Sequence, residues 1–303
     1  MANSKVRHFL TLMDLSSAEL RSILSRAVEL KSAVAAGEVI APLSRKTLAM
    51  IFTKSSTRTR VSFDTGMRQL GGGSIFLSPN DSQLGRGEPI EDSARVISRM
   101  VDGVMIRTDE HQQIELFAEY SEVPVINGLT DDFHPCQLLA DLLTFAELRG
   151  KIAGAKVAWV GDGNNMCHSW MNAAELCGFT LNIATPVGYQ PDETMLSARS
   201  ASVVHTSDPK EAVAGVDLVV TDTWASMGQE DEKAQRVHDF NGFCVDASMM
   251  AVANPDALFM HCLPAYRGME VSASVIDGPQ SVVWQEAENR LHGQKALLEF
   301  LLA

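Results

Sequence analysis

The sequence predicts an α/β protein with two domains, each built on a parallel β-sheet. Short apolar runs alternate with longer amphipathic segments along the chain, and strands that alternate with helices form parallel sheets. The chain has 303 residues, 46% of them hydrophobic. It can therefore bury two cores, because a single core usually stops growing near about 250 to 300 residues. We expect two domains of about 150 residues each, with ligands bound at the carboxyl ends of the strands.

The first predicted element is a helix over residues 16–35, where Leu20, Ile23 and Ala27 recur at helical spacing. A strand at residues 47–53 is followed by a helix-like stretch at residues 61–70. Further strands are expected at residues 103–106, 124–126, 156–160, 180–184, 216–221 and 257–260.

Two long helices indicate the domain limits. A helix over residues 135–148 ends just before Gly150, since glycine can terminate a helix, and a new strand begins at residue 156. We expect a first domain at residues 1–149, a second at 150–280, and a C-terminal helix at 281–303 that packs back on the first domain. The apolar side of that helix is expected to consist of Trp284, Ala287, Leu291, Ala296, Leu297 and Phe300.

Charge and cysteine content exclude several classes of protein. The formal net charge of −13 and the pI of about 5.0 argue against nucleic acid or an anionic membrane as a partner. The sequence shows neither a charged leader with an apolar core nor a run of about 18 apolar residues, so we expect a cytoplasmic protein. Five cysteines without a C-x-x-C pair make structural disulfides and a zinc site unexpected.

An anion site is predicted at residues 56–60, which read Ser-Thr-Arg-Thr-Arg and connect the first strand to the next helix. Small hydroxyl residues can cap a first helical turn, and its N–H groups attract anions, while Arg58 and Arg60 add two guanidinium groups. The alternative is that Ser56 and Thr57 only cap the helix and both arginines are solvated. We favour the anion site, with phosphate or carboxylate as the bound anion, because three hydroxyl groups and two guanidinium groups lie within about one turn of an acidic protein.

Two further residues follow strands of the first domain. Arg107 follows residues 103–106, and His134 begins a helix beyond residues 124–126, so both are expected at the same sheet edge as residues 56–60. His134 can donate a hydrogen bond to a carbonyl oxygen, and Gln137 offers a donor and an acceptor to an amide-like group. Alone, this pair is better explained as a capping histidine and a surface glutamine. Their convergence with Arg107 indicates a site for a phosphorylated carbonyl compound.

The second domain also places polar residues after its strands. Residues 161–165 (Gly-Asp-Gly-Asn-Asn) resemble a dinucleotide-binding turn, but Met166 takes the place of the third glycine and no acidic residue ends the next strand. Asparagine there suits an amino-acid carboxylate equally well. Asp222, after residues 216–221, can hold an ammonium group. Cys262 follows residues 257–260, where a cysteine is usually inert packing.

Together these motifs resemble the aspartate/ornithine carbamoyltransferase family, from the first strand to the last helix. Ser-Thr-Arg-Thr-Arg and His-Pro-Cys-Gln are shared by carbamoyltransferases generally, whereas Ser226-Met227-Gly228 after Asp222, and His-Cys-Leu-Pro at 261–264, are typical of those that act on ornithine. The resemblance implies an α/β fold of two doubly wound parallel-sheet domains joined by interdomain helices, with the active site in the cleft between them.

The resemblance also implies an activity: transfer of the carbamoyl group of carbamoyl phosphate to the δ-amine of L-ornithine, giving L-citrulline and phosphate in arginine metabolism. The implied phosphate ligands are Ser56, Thr57, Arg58 and Thr59, with Arg107 bridging phosphate and carbonyl and His134 polarising the carbonyl oxygen. The implied carbamoyl-phosphate site also includes Gln83, Gln137, Cys262, Leu263 and Arg290, and the implied catalytic residues are Arg58, Arg107, His134 and Cys262.

For ornithine, the resemblance implies that Asn165 lies near the α-carboxylate, Asp222 holds the α-ammonium group, and Ser226 and Met227 contact the side chain. The sequence leaves open whether Asn164 or Asn165 points into the site. No metal and no cofactor are implied, because the amine attacks the carbonyl carbon directly.

Gln83, in the polar stretch at residues 78–89, matches a position that reaches a neighbouring active site, which implies a homotrimer. A larger assembly of trimers, and the direction of the reaction in the cell, stay open. The alternatives to ornithine transfer are a carbamoyltransferase for putrescine or N-acetylornithine and a catalytically silent binding paralogue.

Overall fold

The computed structural model describes residues 6–78, 87–225 and 232–303. The chain divides into two compact units, the first formed by Met1–Leu143 with Glu288–Ala303 and the second by Thr144–Ala287. The strands are β1 (Thr47–Phe52), β2 (Gly73–Leu77), β3 (Gly103–Arg107), β4 (Val125–Leu129), β5 (Lys156–Val160), β6 (Thr180–Ala184), β7 (Val203–Thr206), β8 (Leu218–Thr221) and β9 (Leu258–His261).

The helices follow the strands in alternation. They are α1 (Ser17–Ala35), α2 (Arg58–Gln69), α3 (Ile90–Ile97), α4 (His111–Tyr120), α5 (Pro135–Arg149), α6 (Asn165–Cys177), α7 (Glu193–Ala198), α8 (Pro209–Val213), α9 (Lys233–Asp239), α10 (Ala247–Met250), α11 (Ala273–Ile276) and α12 (Val283–Leu302). The division between the units falls within α5 and within α12.

The first unit is built on a four-stranded parallel sheet with the order β2-β1-β3-β4. In register, Leu48 of β1 pairs with Gly103 of β3. All residues of β3 are buried, as expected for a parallel strand covered on both faces. Because the strands are parallel, the segments that follow β1, β3 and β4 all leave from one edge of the sheet.

Helix α12 contributes its second part to the first unit, and glycines bring it close. A Cβ atom at Gly103 of β3 would lie 2.8 Å from the Leu302 side chain, and one at Gly66 of α2 would lie 3.3 Å from Cγ of Lys295. Side chains of α12 therefore pack against both elements at positions that lack a side chain.

The second unit is built on a five-stranded parallel sheet with the order β7-β6-β5-β8-β9. Its central strand, β5, pairs Val157 with Leu181 of β6 and with Leu218 of β8. Helix α6 begins after Asn164, whose side chain accepts hydrogen bonds from the first turn, and ends at Gly178 in the left-handed region, at a φ of 72°. The turn after β5 is thus fixed by an N-cap.

The predicted α/β organisation is confirmed. All seven predicted strands form, as β1, β3, β4, β5, β6, β8 and β9, each within a few residues of the expected limits. The helix predicted to stop before Gly150 is α5, which ends at Arg149, and Gly150 has a φ of 79°. Two strands, β2 and β7, were not predicted; each lies at one edge of its sheet and has mostly exposed or partly exposed residues.

The predicted apolar side of α12 is wrong in part. Trp284 is 63% exposed and Phe300 is 36% exposed. Buried instead are polar and charged residues, which have hydrogen-bond partners within the first unit that hydrophobic periodicity does not reveal; they include Asn289, Arg290 and Lys295.

Within the described ranges, no helix combines the length and the apolar character needed to cross a lipid bilayer. All five cysteines of the chain lie in these ranges and are free thiols. Burial raises the pKa of Cys136 to about 12 and that of Cys167 well above its usual value, so these two are protonated packing residues at neutral pH.

Candidate active-site residues in the two units

The loop between β1 and α2 carries the predicted anion site. Thr57 is the N-cap residue of α2, but its backbone is helical, at a φ of −83° and a ψ of −57°, and its side chain makes no capping hydrogen bond. The expectation that a hydroxyl group caps this helix is therefore wrong, because capping side chains need an extended N-cap backbone. The start of α2 keeps its positive end without a side-chain cap, with Arg58 in its first turn.

Arg60, the second arginine of this motif, has a different environment. Its guanidinium carbon lies 3.8 Å from the centre of the Phe76 ring on β2, which is a cation–π contact. The sequence predicted two guanidinium groups for one anion. Because Arg60 contacts Phe76, Arg58 is the candidate of the two for binding the anion.

A buried hydrogen-bond network joins four residues from four elements of the first unit. Arg290 of α12 donates from Nη1 to Oε1 of Gln137 at 2.7 Å and from Nη2 to Oγ1 of Thr59 at 2.8 Å. Arg107, at the end of β3, donates to the same Thr59 oxygen at 3.4 Å. None of these four side chains is more than 8% exposed. The structure thus brings Thr59, Arg107, Gln137 and Arg290 together, as predicted for one site.

His134 belongs to the same cluster. Complete burial, and then the positive charges of Arg290, Arg107 and Arg58, hold the pKa of His134 well below its usual value. The imidazole is therefore neutral at pH 7 and has one N–H to donate. A neutral donor surrounded by fixed cations suits an oxygen that gains negative charge.

Asp141 is a residue of this network that the sequence analysis missed. Its Oδ1 accepts a hydrogen bond of 2.8 Å from Nε2 of Gln137, and it is 1% exposed. A carboxylate can only accept hydrogen bonds, so Asp141 binds the amide nitrogen of Gln137. The amide oxygen of Gln137 therefore faces Arg290. The signal was available, because residues four apart on a helix lie side by side.

Lys54 was also missed, and it connects the loops at this sheet edge. It forms ion pairs with Asp109, which follows β3, and with Asp131, which follows β4, the latter at 3.6 Å. Burial alone would lower the pKa of Lys54, but the two carboxylates together have the larger effect and raise it. This pairing fixes the start of the loop that carries Ser56.

In the second unit, Asp222 follows β8 and is 8% exposed. Its Oδ1 accepts from the backbone N–H of Thr223 at 2.7 Å and from the Cys262 thiol at 3.2 Å, and its Oδ2 accepts from the Asn164 amide at 3.1 Å. The turn after β5 and the segments after β8 and β9 thus meet at one carboxylate.

The structure distinguishes the two adjacent asparagines. The Asn164 oxygen accepts from the backbone N–H groups of Met166 and Cys167, at 3.0 and 3.2 Å, while its nitrogen donates to Asp222. Asn164 is therefore committed to the helix cap and to Asp222. Asn165, the first residue of α6, is half-buried and remains the candidate for contact with a ligand.

The glycine turn after β5 packs against the chain itself. A Cβ atom at Gly163 would lie 2.2 Å from the backbone nitrogen of Pro191, and Gly163 donates its N–H to the Tyr189 carbonyl at 2.9 Å. Glycine is needed here for a neighbouring loop, so the turn gives no argument for a bound dinucleotide.

The segment after β9 contains Cys262 and Leu263. The Leu263 N–H donates to Nδ1 of the buried His261 at 2.9 Å, and the other ring nitrogen of His261 lies 3.3 Å from Glu270. The ligand atoms of Asp222, His261 and Cys262 lie within 4.8 Å of one another, a spacing that could hold a metal ion. The sequence did not indicate this grouping. In the structure, the side chains of Asp222, His261 and Cys262 form hydrogen bonds with one another or with neighbouring protein groups.

Three predicted site residues lie outside the described residues. They are Gln83, Ser226 and Met227.

Comparison with known proteins gives matches over nearly the whole chain. Residues 7–147 match the family model described as "Aspartate/ornithine carbamoyltransferase, carbamoyl-P binding domain". Residues 153–301 match the one described as "Aspartate/ornithine carbamoyltransferase, Asp/Orn binding domain".

Individual relatives agree with these matches. The ornithine carbamoyltransferase of Methylococcus capsulatus is 63% identical over 298 residues, covering 98% of this chain and 99% of the relative. The solved structure of the ornithine carbamoyltransferase from Burkholderia thailandensis E264 has a TM-score of 0.92 at 54% identity, covering 98% and 99% of the two chains. That of the Pyrococcus furiosus enzyme has a TM-score of 0.93 at 48% identity, covering 98% and 97%. The chain belongs to the aspartate/ornithine carbamoyltransferase family.

Proposed function

We propose that this protein transfers the carbamoyl group of carbamoyl phosphate to the δ-amine of L-ornithine, giving L-citrulline and phosphate. The observation that carries the proposal is the buried network of the first unit, in which Arg107 and Arg290 donate to Thr59 and Arg290 donates to Gln137. A dianionic phosphate ester of a carbonyl compound matches such a cluster in charge and in hydrogen-bonding groups.

The phosphate group binds at the start of α2. Ser56, Thr57, Arg58 and Thr59 supply hydroxyl, guanidinium and backbone N–H donors, and the helix adds its positive end. Arg107 bridges the phosphate and the carbonyl oxygen. This placement agrees with the absence of a side-chain cap at Thr57, because a bound phosphate would take the place of the capping oxygen.

The carbamoyl group lies between donors and an acceptor. His134, Arg107 and Thr59 stabilise the carbonyl oxygen, whose negative charge grows during attack. The Gln137 oxygen, held in its orientation by Asp141, accepts from the carbamoyl NH₂ group. Arg290 completes the part of the site that the first unit supplies.

Ornithine binds to the second unit. Asn165 binds its α-carboxylate and Asp222 its α-ammonium group, while Ser226 and Met227 contact the aliphatic chain. The hydrogen bonds that hold the Asp222 carboxylate support this assignment, because they fix its direction before the ligand arrives.

In the reaction, the lone pair of the deprotonated δ-amine forms a bond to the carbonyl carbon. The bond from that carbon to the phosphate oxygen then breaks, and the departing phosphate accepts the proton from nitrogen. No side chain becomes covalently bound to the substrate, so the protein accelerates the reaction by positioning and by stabilising charge.

We also propose a homotrimer in the cytoplasm, with Gln83 reaching the active site of a neighbouring subunit, and a role in arginine biosynthesis. The free cysteines are in keeping with a reducing compartment. The biosynthetic direction is supported by similarity to the Campylobacter jejuni enzyme described as "anabolic", which is 46% identical.

The test is a colorimetric citrulline assay with carbamoyl phosphate, comparing ornithine, putrescine, N-acetylornithine and aspartate as acceptors. The Arg107→Met variant, prepared in parallel, controls for contaminating activity. We expect a strong preference for ornithine. Preference for another amine would overturn the assignment of Asp222, and absence of any product would support a silent paralogue.

A further inference from the structure

Arg236 is a buried arginine of the second unit that the proposed reaction does not use. It lies in α9, and its side chain is 8% exposed. Its Nη1 donates to the Asp162 carboxylate at 2.6 Å and to the Trp224 carbonyl oxygen at 2.8 Å. Its Nε donates to Glu232 at 2.9 Å. A single guanidinium group thus connects α9 to two other segments of the chain.

These two segments carry the proposed ornithine ligands. Asp162 lies in the turn after β5, three residues before Asn165, and Trp224 lies two residues after Asp222. The same two segments are joined a second time by the hydrogen bond from Asn164 to Asp222. The pairing of β5 with β8 brings the two segments side by side, and this hydrogen bond together with Arg236 fixes how they lie beyond the strands.

Aromatic packing keeps Arg236 in place. Its guanidinium carbon lies 5.0 Å from the centre of the Tyr189 ring, and the Tyr189 hydroxyl donates to Asp239 at the end of α9 at 2.9 Å. Phe240 packs on Tyr189 and stacks on Trp224, with ring centres 4.7 and 5.4 Å apart. Arg236 donates from two separate nitrogens, Nε and Nη1, whereas a lysine would have a single ammonium nitrogen for all three acceptors.

We propose that Arg236 is a positioning residue for the amino-acid substrate. By holding Asp162 and the Trp224 carbonyl at fixed places, it sets the separation of Asn165 and Asp222, which must match the α-carboxylate and α-ammonium groups of one ligand. This inference rests on the proposed function. A purely structural role for Arg236 predicts a different result, because loss of stability alone would not affect one substrate more than the other.

The experiment compares Arg236→Lys and Arg236→Met with the wild-type protein. The Michaelis constants of ornithine and of carbamoyl phosphate are measured separately, together with the inhibition constant of L-norvaline, which has the ornithine backbone without the δ-amine. Thermal unfolding shows whether each variant is folded at the assay temperature. Arg199→Lys is the matched control, since Arg199 is a largely buried arginine of the same unit bound to Asn172 and Glu175.

A second control addresses the outer contact of Arg236. Glu232→Gln removes the exposed ion pair and leaves the contacts with Asp162 and Trp224 unchanged. Should Arg236→Met fail to fold, the isosteric Asp162→Asn variant tests the same connection from its other end.

For Arg236→Met we expect the ornithine Michaelis constant and the norvaline inhibition constant to rise about 10- to 100-fold, because misplaced binding groups cost that much. The carbamoyl phosphate constant should stay within about twofold, as should all constants of Glu232→Gln and Arg199→Lys. The inference is overturned if the Michaelis constants of both substrates rise equally, or if that of ornithine stays within about twofold of wild type. Either result leaves the proposed function intact. A wild-type protein that forms no citrulline overturns the proposed function instead.

Discussion

Thr59 is the residue at which the carbamoyl-phosphate site can be tested most sharply. Its hydroxyl oxygen accepts from Arg290 at 2.8 Å and from Arg107 at 3.4 Å, and the side chain is fully buried. The Thr59→Val variant keeps the shape of the side chain and removes this oxygen. Both guanidinium groups then lose the acceptor that fixes them.

The expected magnitude follows from these two contacts. A hydrogen bond to a charged group contributes about 1.5 to 3 kcal/mol, and the contact with Arg107 adds little because 3.4 Å is beyond the usual hydrogen-bond distance. Since about 1.4 kcal/mol corresponds to a factor of ten, kcat/KM for carbamoyl phosphate should fall about 10- to 150-fold. Unfolding should also become easier, because the buried guanidinium group of Arg290 loses one of its acceptors.

The assay is initial citrulline formation at saturating ornithine over a range of carbamoyl phosphate concentrations. Thr59→Ser is the matched control, because it retains the hydroxyl group, and it should stay within about fivefold of wild type. If Thr59→Val also lies within about threefold of wild type, the network around Arg290 does not support the site and the reasoning is refuted.

Three further outcomes are expected. Asp222→Asn should raise the Michaelis constant of ornithine far more than that of carbamoyl phosphate, and equal effects on both would refute its role. Burial and the nearby arginines hold the pKa of His134 well below its usual 6.5. Below pH 6.5 only the unfolded state binds a proton at this residue, so the free energy of unfolding decreases as the pH is lowered. Between pH 7.5 and 5.5, denaturant unfolding should show a loss in wild type about 1.4 kcal/mol greater than in His134→Gln, and equal losses would contradict this. Burial lowers the pKa of Lys295 to about 8, so the folded state loses its proton before the unfolded state does, and above pH 8 the wild-type protein should gain stability relative to Lys295→Met; parallel pH profiles of unfolding for the two proteins would count against it.

The sequence predicted the fold well where strands are central and buried. β1, β3, β5 and β8 have continuous apolar runs that only a covered parallel strand explains. The strands β2 and β7 were missed because most of their residues are exposed or partly exposed, whereas β4 and β9, which are also edge strands, are largely buried and were predicted.

The site was predictable to the extent that it depends on strand ends. Arg107 and His134 could be assigned from their convergence at the ends of strands, whereas Arg290 came only from the family resemblance, since a helical arginine has no local signal. Asp141 was missed although its spacing of four residues from Gln137 on α5 was a usable signal. Arg236 was missed because its contact with Asp162 joins residues 74 positions apart, which motif spacing does not give.

The discontinuous first unit has a consequence for folding during synthesis. The ribosome makes residues 144–287, a continuous unit, before it reaches Arg290 and Lys295. Until residues 288–303 emerge, Thr59 and Gln137 lack their hydrogen bonds to Arg290, and α2 lacks the α12 side chains that pack at Gly66. The second unit can therefore fold as soon as it is made, whereas the first unit gains its complete hydrogen-bond network only after the second unit has been synthesised.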